Sequence, residues 1–275
     1  MIDLPAGFPR DVELVATDLD HTLIWRDGAV APYTSSVLGR ARAEGLPVIV
    51  VTGRMVQALD RVMAPVGHTG PAVCYQGAVV VDADGRWLEH IPLDLELARE
   101  TITALAKEGY EPNVYIDDRL YVSRMTPWVE RYAGFQQIPV EAVGDLATWL
   151  DRPPTKLVCV GEEAAIDELE VTMKARLGDR MYITQSLPHF LEFATLGVTK
   201  ASGIAFLAER LGFSAERTVA FGDGENDVEL IEWAGYGIAV ENAHPRVKAV
   251  ADWVCPPAEV EGVAKVIEAL LDSRL

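Results

Sequence analysis

Short apolar strands alternate with helices at both ends of the chain, and this alternation constrains the fold more than any other feature. Near the N-terminus, an apolar run at 13–17 precedes a helical segment at 34–44 and a β-branched run at 47–51. A continuous β-branched run is typical of a strand buried on both faces of a parallel sheet. A second helical segment at 55–64 leads to another apolar run at 72–75. The pattern predicts an α/β fold with a doubly wound parallel sheet.

The same alternation returns after Gly197, whereas the middle of the chain has a different pattern. Between 83 and 194, short alternating segments typical of hairpins are mixed with helical stretches. We therefore predict a Rossmann-like core built from residues 1–82 and 195–275, with residues 83–194 inserted as a separate α+β domain.

The charge of the chain excludes some classes of partner. Its 275 residues include 24 Lys and Arg against 42 Asp and Glu, for a formal charge of −18. This excess of acid would repel nucleic acid and anionic membranes, so neither is expected as a partner. The longest apolar runs are far too short to span a membrane, and the N-terminus lacks an apolar signal core. The three dispersed cysteines are predicted to be buried free thiols, which favours a cytoplasmic location.

The first candidate site is the segment Asp18-Leu19-Asp20, which directly follows a predicted buried strand. Alternate residues of an extended segment point the same way, so Asp18 and Asp20 can face one site. Ligands of open α/β sheets bind beyond the carboxyl ends of the strands. Two close carboxylates repel, and a divalent metal that prefers oxygen ligands would relieve that repulsion. Taken alone, acids in a turn are also common at solvated surfaces.

Two further candidates could hold an anion. Thr52 and Gly53 end the next strand, and a hydroxyl with a flexible backbone N–H at a helix start suits phosphate. An ordinary helix cap by Thr52 is the alternative. Lys200 stands at the start of a later helix, where its charge opposes the helix dipole and needs a nearby anion. Exposure of this lysine to solvent is the alternative there.

The fourth candidate is the acidic loop Gly222-Asp223-Gly224-Glu225-Asn226-Asp227, between a strand and a helix. Its two glycines allow tight turns, and its acids can supply oxygen ligands to a hard metal ion. The spacing of the acids does not fit a calcium-binding loop.

The four segments, taken in order, resemble the motifs of the haloacid dehalogenase superfamily. The chain is similar to Cof-type phosphatases, in which a larger, type-2 cap lies between the Thr and Lys motifs. The segments that carry this resemblance also include Leu191-Glu192, Gly197-Val198-Thr199-Lys200, Ala239-Val240-Glu241-Asn242-Ala243 and Val114-Tyr115-Ile116-Asp117-Asp118. The resemblance covers nearly the whole chain, and it implies that residues 83–194 form the cap.

The resemblance also implies a mechanism. Asp18 would be the nucleophile and form an aspartyl-phosphate intermediate, and Asp20 would act as the general acid and base. Mg²⁺ would be held by Asp18, by the backbone carbonyl of Asp20 and by Asp223. Asp227 would act through water or by ordering the loop. The groups that would bind the phosphate oxygens are Thr52, Gly53, Lys200, Asn226 and the backbone N–H of Leu19.

Two positions depart from the usual family pattern. His21 stands where the family usually has Gly, and it is either a tolerated left-handed turn residue or a group that faces the cap and touches the leaving group. Gln76 stands where Asn is common, and its longer amide could bond the substrate or a neighbouring loop. The cap candidates for contact with the leaving group are Asp117, Arg119, Tyr121, Arg124 and His189.

The expected function is therefore hydrolysis of a small phosphorylated metabolite, such as a sugar phosphate, with Mg²⁺ as the cofactor. A phosphomutase or other phosphotransferase with the same nucleophile is the alternative, and a non-catalytic phosphate-binding protein is a third. A monomer or a homodimer is expected.

Overall fold

The computed structural model describes residues 2–25 and 28–274, and fourteen strands lie within them. In chain order they are β1 (Leu14–Thr17), β2 (Val48–Val51), β3 (Ala72–Cys74), β4 (Val79–Val81), β5 (Trp87–His90), β6 (Asn113–Ile116), β7 (Arg119–Val122), β8 (Val140–Ala142), β9 (Lys156–Val160), β10 (Met181–Leu187), β11 (Phe190–Thr195), β12 (Thr218–Gly222), β13 (Tyr236–Val240) and β14 (Trp253–Cys255).

Ten α-helices connect these strands within the described ranges. They are α1 (Pro32–Ala43), α2 (Val56–Met63), α3 (Leu95–Lys107), α4 (Pro127–Gln136), α5 (Leu146–Trp149), α6 (Glu163–Leu177), α7 (Lys200–Leu211), α8 (Val228–Trp233), α9 (Pro245–Val250) and α10 (Gly262–Asp272). The two α/β stretches of the sequence therefore have the predicted elements, with ends shifted by a few residues.

Eight strands form one sheet in the order β14-β13-β12-β1-β2-β3-β4-β5. The pairs from β14 to β3 are parallel, and β4 and β5 add an antiparallel edge. All residues of β1 and β2 are buried, as expected for central parallel strands with helices on both faces. The predicted α/β fold with a parallel sheet is confirmed.

Six strands form a second sheet in the order β10-β11-β9-β6-β7-β8, which is antiparallel except for the pair β7–β8. Its strands come from the residues predicted to form the cap, apart from Thr195 at the end of β11. Strand β5 also comes from those residues, yet it hydrogen-bonds to β4 in the eight-stranded sheet. The division into core and cap stays a prediction, and this pairing favours a first boundary beyond His90.

The three cysteines, Cys74, Cys159 and Cys255, are buried and form no disulfide, as the sequence predicts. Over the described ranges, no helix combines the length and the apolar character needed to cross a membrane.

Candidate active site

Three neighbouring strands bring the sequence motifs to one edge of the eight-stranded sheet. Strand β1 lies between β12 and β2, and all three run parallel. Their carboxyl ends therefore meet, with Asp18 after β1, Thr52 after β2 and Asp223 after β12. This edge is where open α/β sheets bind their ligands.

Lys200 is buried at this edge and joins two of the candidate carboxylates. Its Nζ donates to Asp18 Oδ1 at 2.5 Å and to Asp227 Oδ1 at 2.6 Å, and the residue is 1% exposed. Burial by itself lowers the pKa of Lys200, but the carboxylates of Asp18 and Asp227 raise it above its usual value. Lys200 is therefore a fixed positive charge inside the site, and the solvent-exposed alternative is wrong.

Asp18, Asp223 and Asp227 form a cluster in which one oxygen of each lies within 4.8 Å of the others. Burial raises the pKa of Asp18 to about 7, although Lys200 opposes that shift. Burial and the charge of Asp18 raise the pKa of Asp223 well above its usual value. One lysine does not balance three carboxylates, of which Asp18 and Asp227 are buried and Asp223 is half-buried, so this cluster suits a divalent cation with oxygen ligands.

Asp227 differs from the other two acids because both of its oxygens have partners in the protein. Oδ1 accepts from Lys200, and Oδ2 accepts from the backbone N–H groups of Asp223 and Gly224, each at 3.0 Å. Asp223 receives a hydrogen bond of 2.7 Å from the Thr22 hydroxyl at its Oδ1. The contacts of Asp227 match the predicted role of ordering the loop.

The Asp20 side chain lies outside this acidic cluster and faces Arg54. Arg54 donates from Nε to Oδ2 and from Nη2 to Oδ1 of Asp20, both at 2.7 Å. The guanidinium is 4% exposed and lies 5.1 Å from the centre of the Phe135 ring. Burial opposes the charge of Arg54, but Asp20 raises its pKa. This bidentate pair fixes the orientation of the Asp20 carboxylate.

The predicted phosphate-binding groups come together around the same cavity. Its lining includes Thr52, Gly53, Lys200 and Asn226 together with Asp18, Asp20 and Asp223. Thr52 accepts a hydrogen bond of 3.1 Å from the Arg54 backbone N–H, but Arg54 precedes α2, whose N-cap residue is Met55. The helix-cap alternative for Thr52 is therefore wrong, and its role as a phosphate ligand stays a prediction. Leu19 is fully buried, and its backbone N–H as a phosphate ligand stays a prediction.

The family model of haloacid dehalogenase-like hydrolases matches residues 15–267. The chain belongs to this family. Phosphatase YwpJ of Bacillus subtilis is 25% identical over 285 residues, which cover 94% of this chain and 100% of the relative. An HMP-PP phosphatase of Serratia proteamaculans is 26% identical over 245 residues, with 86% of each chain covered. The crystal structure of TM0651 from Thermotoga maritima has a TM-score of 0.81 and 27% identity, over 94% of this chain and 97% of that one.

In this haloacid dehalogenase-like hydrolase, the predicted cap contacts the site through a second buried lysine. Lys156 Nζ donates to Glu192 Oε2 and to the carbonyl oxygen of Gly53, both at 2.7 Å. Lys156 and Glu192 come from cap strands β9 and β11, whereas Gly53 belongs to the core. The cap therefore holds the backbone of a predicted phosphate-binding residue.

Asp118 makes a further polar contact between cap and core. It lies in the turn between β6 and β7, and its carboxylate accepts from the backbone N–H groups of Val56 and Gln57 at 2.9 and 3.0 Å. These groups begin α2, so a cap residue supplies the N-terminal cap of a core helix. The Tyr75 hydroxyl also donates to Asp118, at 2.8 Å.

The five polar cap candidates chosen from the sequence lie elsewhere. Arg119 pairs with Glu141, Arg124 with Glu111 and Asp117 with Arg152. Tyr121 stacks on Trp149, and His189 bonds the Gly161 carbonyl through Nδ1. None of the five lines the cavity around Asp18. The cap residues that do line it are Phe135, Gln136, Ser186, Leu187, Phe190 and Glu192. Three of these six are apolar, so a search for polar residues misses half of this lining.

His21 and Gln76, the two departures from the family pattern, occupy different places. His21 has φ +61° and lines a second cavity of about 440 Å³, which shares Ser186, Leu187 and Asp223 with the first. Its left-handed backbone agrees with the turn interpretation. It also lies at a cleft lined by cap residues, and its contact with a leaving group stays a prediction. Gln76 is buried and accepts a hydrogen bond from Asn226.

Proposed function

We propose that this haloacid dehalogenase-like hydrolase is a Mg²⁺-dependent phosphatase that hydrolyses a small phosphomonoester, such as a sugar phosphate, through an aspartyl-phosphate intermediate on Asp18. The observation that carries the proposal is the buried group of Asp18, Asp223 and Asp227 around Lys200 at the ligand-binding edge of the sheet. The phosphatase names of relatives that match over most of their length support the same reaction class.

The residues fit a magnesium ion. Asp18 and Asp223 offer carboxylate oxygens, the Asp20 backbone carbonyl is the further protein ligand, and Asp227 orders the loop that carries Asp223. Mg²⁺, when bound, supplies positive charge that offsets the carboxylates and attracts the phosphoryl oxygens. Burial and the repulsion between neighbouring carboxylates raise the pKa values of Asp18 and Asp223. A bound cation would reduce that repulsion and stabilise the ionised carboxylates.

Asp18 is the proposed nucleophile because Lys200 holds its Oδ1 and leaves the second oxygen free of that contact. That oxygen forms a bond to phosphorus while the bond from phosphorus to the ester oxygen breaks. Asp20 in its acid form donates a proton to the leaving oxygen, and the Asp20 oxygen that carries this proton no longer accepts a hydrogen bond from Arg54. Asp20 then accepts a proton from water, whose oxygen attacks phosphorus and restores the Asp18 carboxylate. Lys200 and Asn226 stabilise the phosphoryl oxygens throughout.

The test is release of inorganic phosphate from p-nitrophenyl phosphate by the purified protein, with Mg²⁺ and with EDTA. No bisphosphate activator is added, so hydrolysis is distinguished from a phosphomutase reaction. We expect activity with Mg²⁺ and its loss in EDTA. Asp18→Asn should lower kcat by about 10⁴-fold or more, because the nucleophile is removed.

Asp84→Asn is the matched control, since Asp84 is exposed in the turn between β4 and β5. Full hydrolysis by Asp18→Asn would contradict the proposed nucleophile. A panel of phosphorylated metabolites assayed under the same conditions then identifies the leaving group that the cap accepts.

A further inference from the structure

We infer that Gln76 is a positioning residue for phosphoryl transfer, which acts by orienting the side-chain amide of Asn226. The inference rests on the proposed phosphatase function. Gln76 lies outside the four sequence motifs, in the segment Tyr75–Gly77 that follows strand β3.

The backbone of this segment joins the loops that carry the predicted phosphate ligands. The Tyr75 N–H donates to the Arg54 carbonyl at 2.9 Å, and the Gln76 N–H donates to the Thr52 carbonyl at 3.1 Å. A Cβ atom on Gly77 would lie 2.0 Å from the carbonyl oxygen of Thr199, so the segment also packs against the residue before Lys200. The segment therefore lies between two of the four motifs, those that contain Thr52 and Lys200.

The backbone conformation of the segment Tyr75–Gly77 is energetically unfavourable. Tyr75 and Gln76 have φ values of +53° and +60°, and Gly77 has φ +103°. Left-handed conformations are unfavourable for residues with a Cβ atom, and they persist where the surrounding contacts impose them. Glutamine has no special preference for this region, whereas the asparagine that is common in the family does. The longer side chain at this position therefore needs another explanation.

The length of the Gln76 side chain provides that explanation, because it brings the amide to Asn226. Gln76 is 1% exposed, and its Oε1 accepts from Asn226 Nδ2 at 2.9 Å. The Asn226 amide has two hydrogens, and this bond uses one of them. Asn226 Oδ1 lies against Gly224, 2.4 Å from where a Cβ atom would be. Because Asn226 lines the cavity around Asp18, its second amide hydrogen is left for an oxygen in that cavity.

The other end of the Gln76 amide is unsatisfied. Nε2 is buried and has no hydrogen-bond partner among the described residues. It lies against Gly53, where a Cβ atom would be only 2.4 Å away. A buried donor without an acceptor destabilises the folded state. An apolar side chain of similar length would remove that penalty but leave the buried Asn226 donor without its acceptor, a cost of similar size. The amide at position 76 therefore brings little net stability, and its bond to Asn226 is what explains it.

Because Gln76 has one bonded and one unpaired polar atom, its replacement can distinguish a positioning role from a purely structural one. A structural residue should lower the stability of the protein when it is replaced. A residue that is retained for positioning should leave stability unchanged, or raise it, and lower activity. Gln76→Met tests the difference, because methionine is similar in length and lacks both polar atoms.

We expect Gln76→Met to lower kcat/KM for p-nitrophenyl phosphate about tenfold, the size seen when a group that orients a ligand is removed. The affinity for orthovanadate, an analogue of the transferring phosphoryl group, should fall by a similar factor. The thermal midpoint of the metal-free protein should not decrease. Gln137→Met is the matched control, since Gln137 is exposed and also has a left-handed φ, of +54°, and its kcat/KM should change less than twofold.

A double-mutant cycle with Asn226→Ala tests whether Gln76 acts through Asn226. In the Asn226→Ala background, Gln76→Met should change kcat/KM less than twofold. An equal tenfold loss in both backgrounds, or a lower thermal midpoint for Gln76→Met alone, would overturn the inference. A wild-type protein without phosphatase activity would refute the proposed function instead, whereas an active wild type with an unchanged Gln76→Met variant would refute only the role of Gln76.

Discussion

Two buried lysines, Lys200 and Lys156, differ in the charge that surrounds them. Each is 1% exposed, and each donates two hydrogen bonds. Lys200 bonds two carboxylates, those of Asp18 and Asp227, and a third belongs to the same cluster. Lys156 bonds one carboxylate, that of Glu192, and the neutral carbonyl of Gly53.

The difference separates a reactive region from a structural one. Around Lys156 the charges balance, so the pair can join the cap to the core without another ion. Around Lys200 the carboxylates exceed the lysine, and the excess suits a cation and an anionic substrate together. Changes at Lys200 should therefore affect activity most, and changes at Lys156 should affect stability most.

Lys200→Met should give the largest effect, a loss of about 10²–10³-fold in kcat/KM for p-nitrophenyl phosphate. The physical reason is the loss of a preorganised positive charge at the transferring phosphoryl group. Steady-state kinetics with saturating Mg²⁺ measure it. Lys107→Met, at an exposed position near the end of α3, should retain wild-type activity. A loss of less than tenfold for Lys200→Met would remove the contrast between the two lysines.

Lys156→Met should lower the free energy of unfolding by about 3–5 kcal/mol, because it leaves the Glu192 carboxylate buried without its partner. Urea denaturation of the metal-free protein measures this. The double variant Lys156→Met with Glu192→Gln should recover much of the loss, since the unpaired charge is gone. If the double variant is no more stable than the single one, the balance of charge is not what stabilises this contact.

The Lys200 cluster should also make stability depend on pH and metal. The pKa of Asp18 is raised from 3.8 to about 7, so the folded state holds this proton more tightly than the unfolded state. Without metal, stability should therefore fall as pH rises from about 4 to about 7. Mg²⁺ needs the ionised carboxylates, so its stabilisation should be larger at pH 8 than at pH 5.

We expect the thermal midpoint gained with Mg²⁺ to be greater at pH 8 by about 2–4 °C, which corresponds to roughly 1 kcal/mol for a chain of this size. Thermal unfolding in Mg²⁺ and in EDTA at both pH values measures it. In Asp18→Asn, the difference between the two pH values should shrink. An equal gain at both pH values in the wild type would show that the cluster does not take up metal as proposed.

Asp118→Ala should lower the free energy of unfolding by about 1–2 kcal/mol, because α2 loses its N-terminal cap. The neighbouring Asp117→Ala is a matched control, since both residues have positive φ but Asp117 is exposed. Urea denaturation of the two variants should show the larger loss for Asp118. Equal losses would mean that strain in the turn, and not the contact with α2, sets the effect.

The core half of the site could be predicted from the sequence because its residues follow directly after strands. Parallel strands place their carboxyl ends at one edge, so Asp18, Thr52 and Asp223 are close once the sheet forms. Local patterns could not show that Arg54 pairs with Asp20, because the two residues come from different loops. The cap contacts were also missed, because Lys156 lies in a run that is otherwise apolar and Asp118 lies in an ordinary turn.

By itself, the sequence determined the α/β pattern, the order of the motifs and the excess of acid at the strand ends. These depend on hydrophobic periodicity and on short segments, which are local properties of the chain. Only the tertiary structure decided which carboxylates Lys200 joins, how the cap holds Gly53 and where Gln76 reaches. Those contacts join residues far apart in the chain, and their geometry depends on how the two sheets pack against each other.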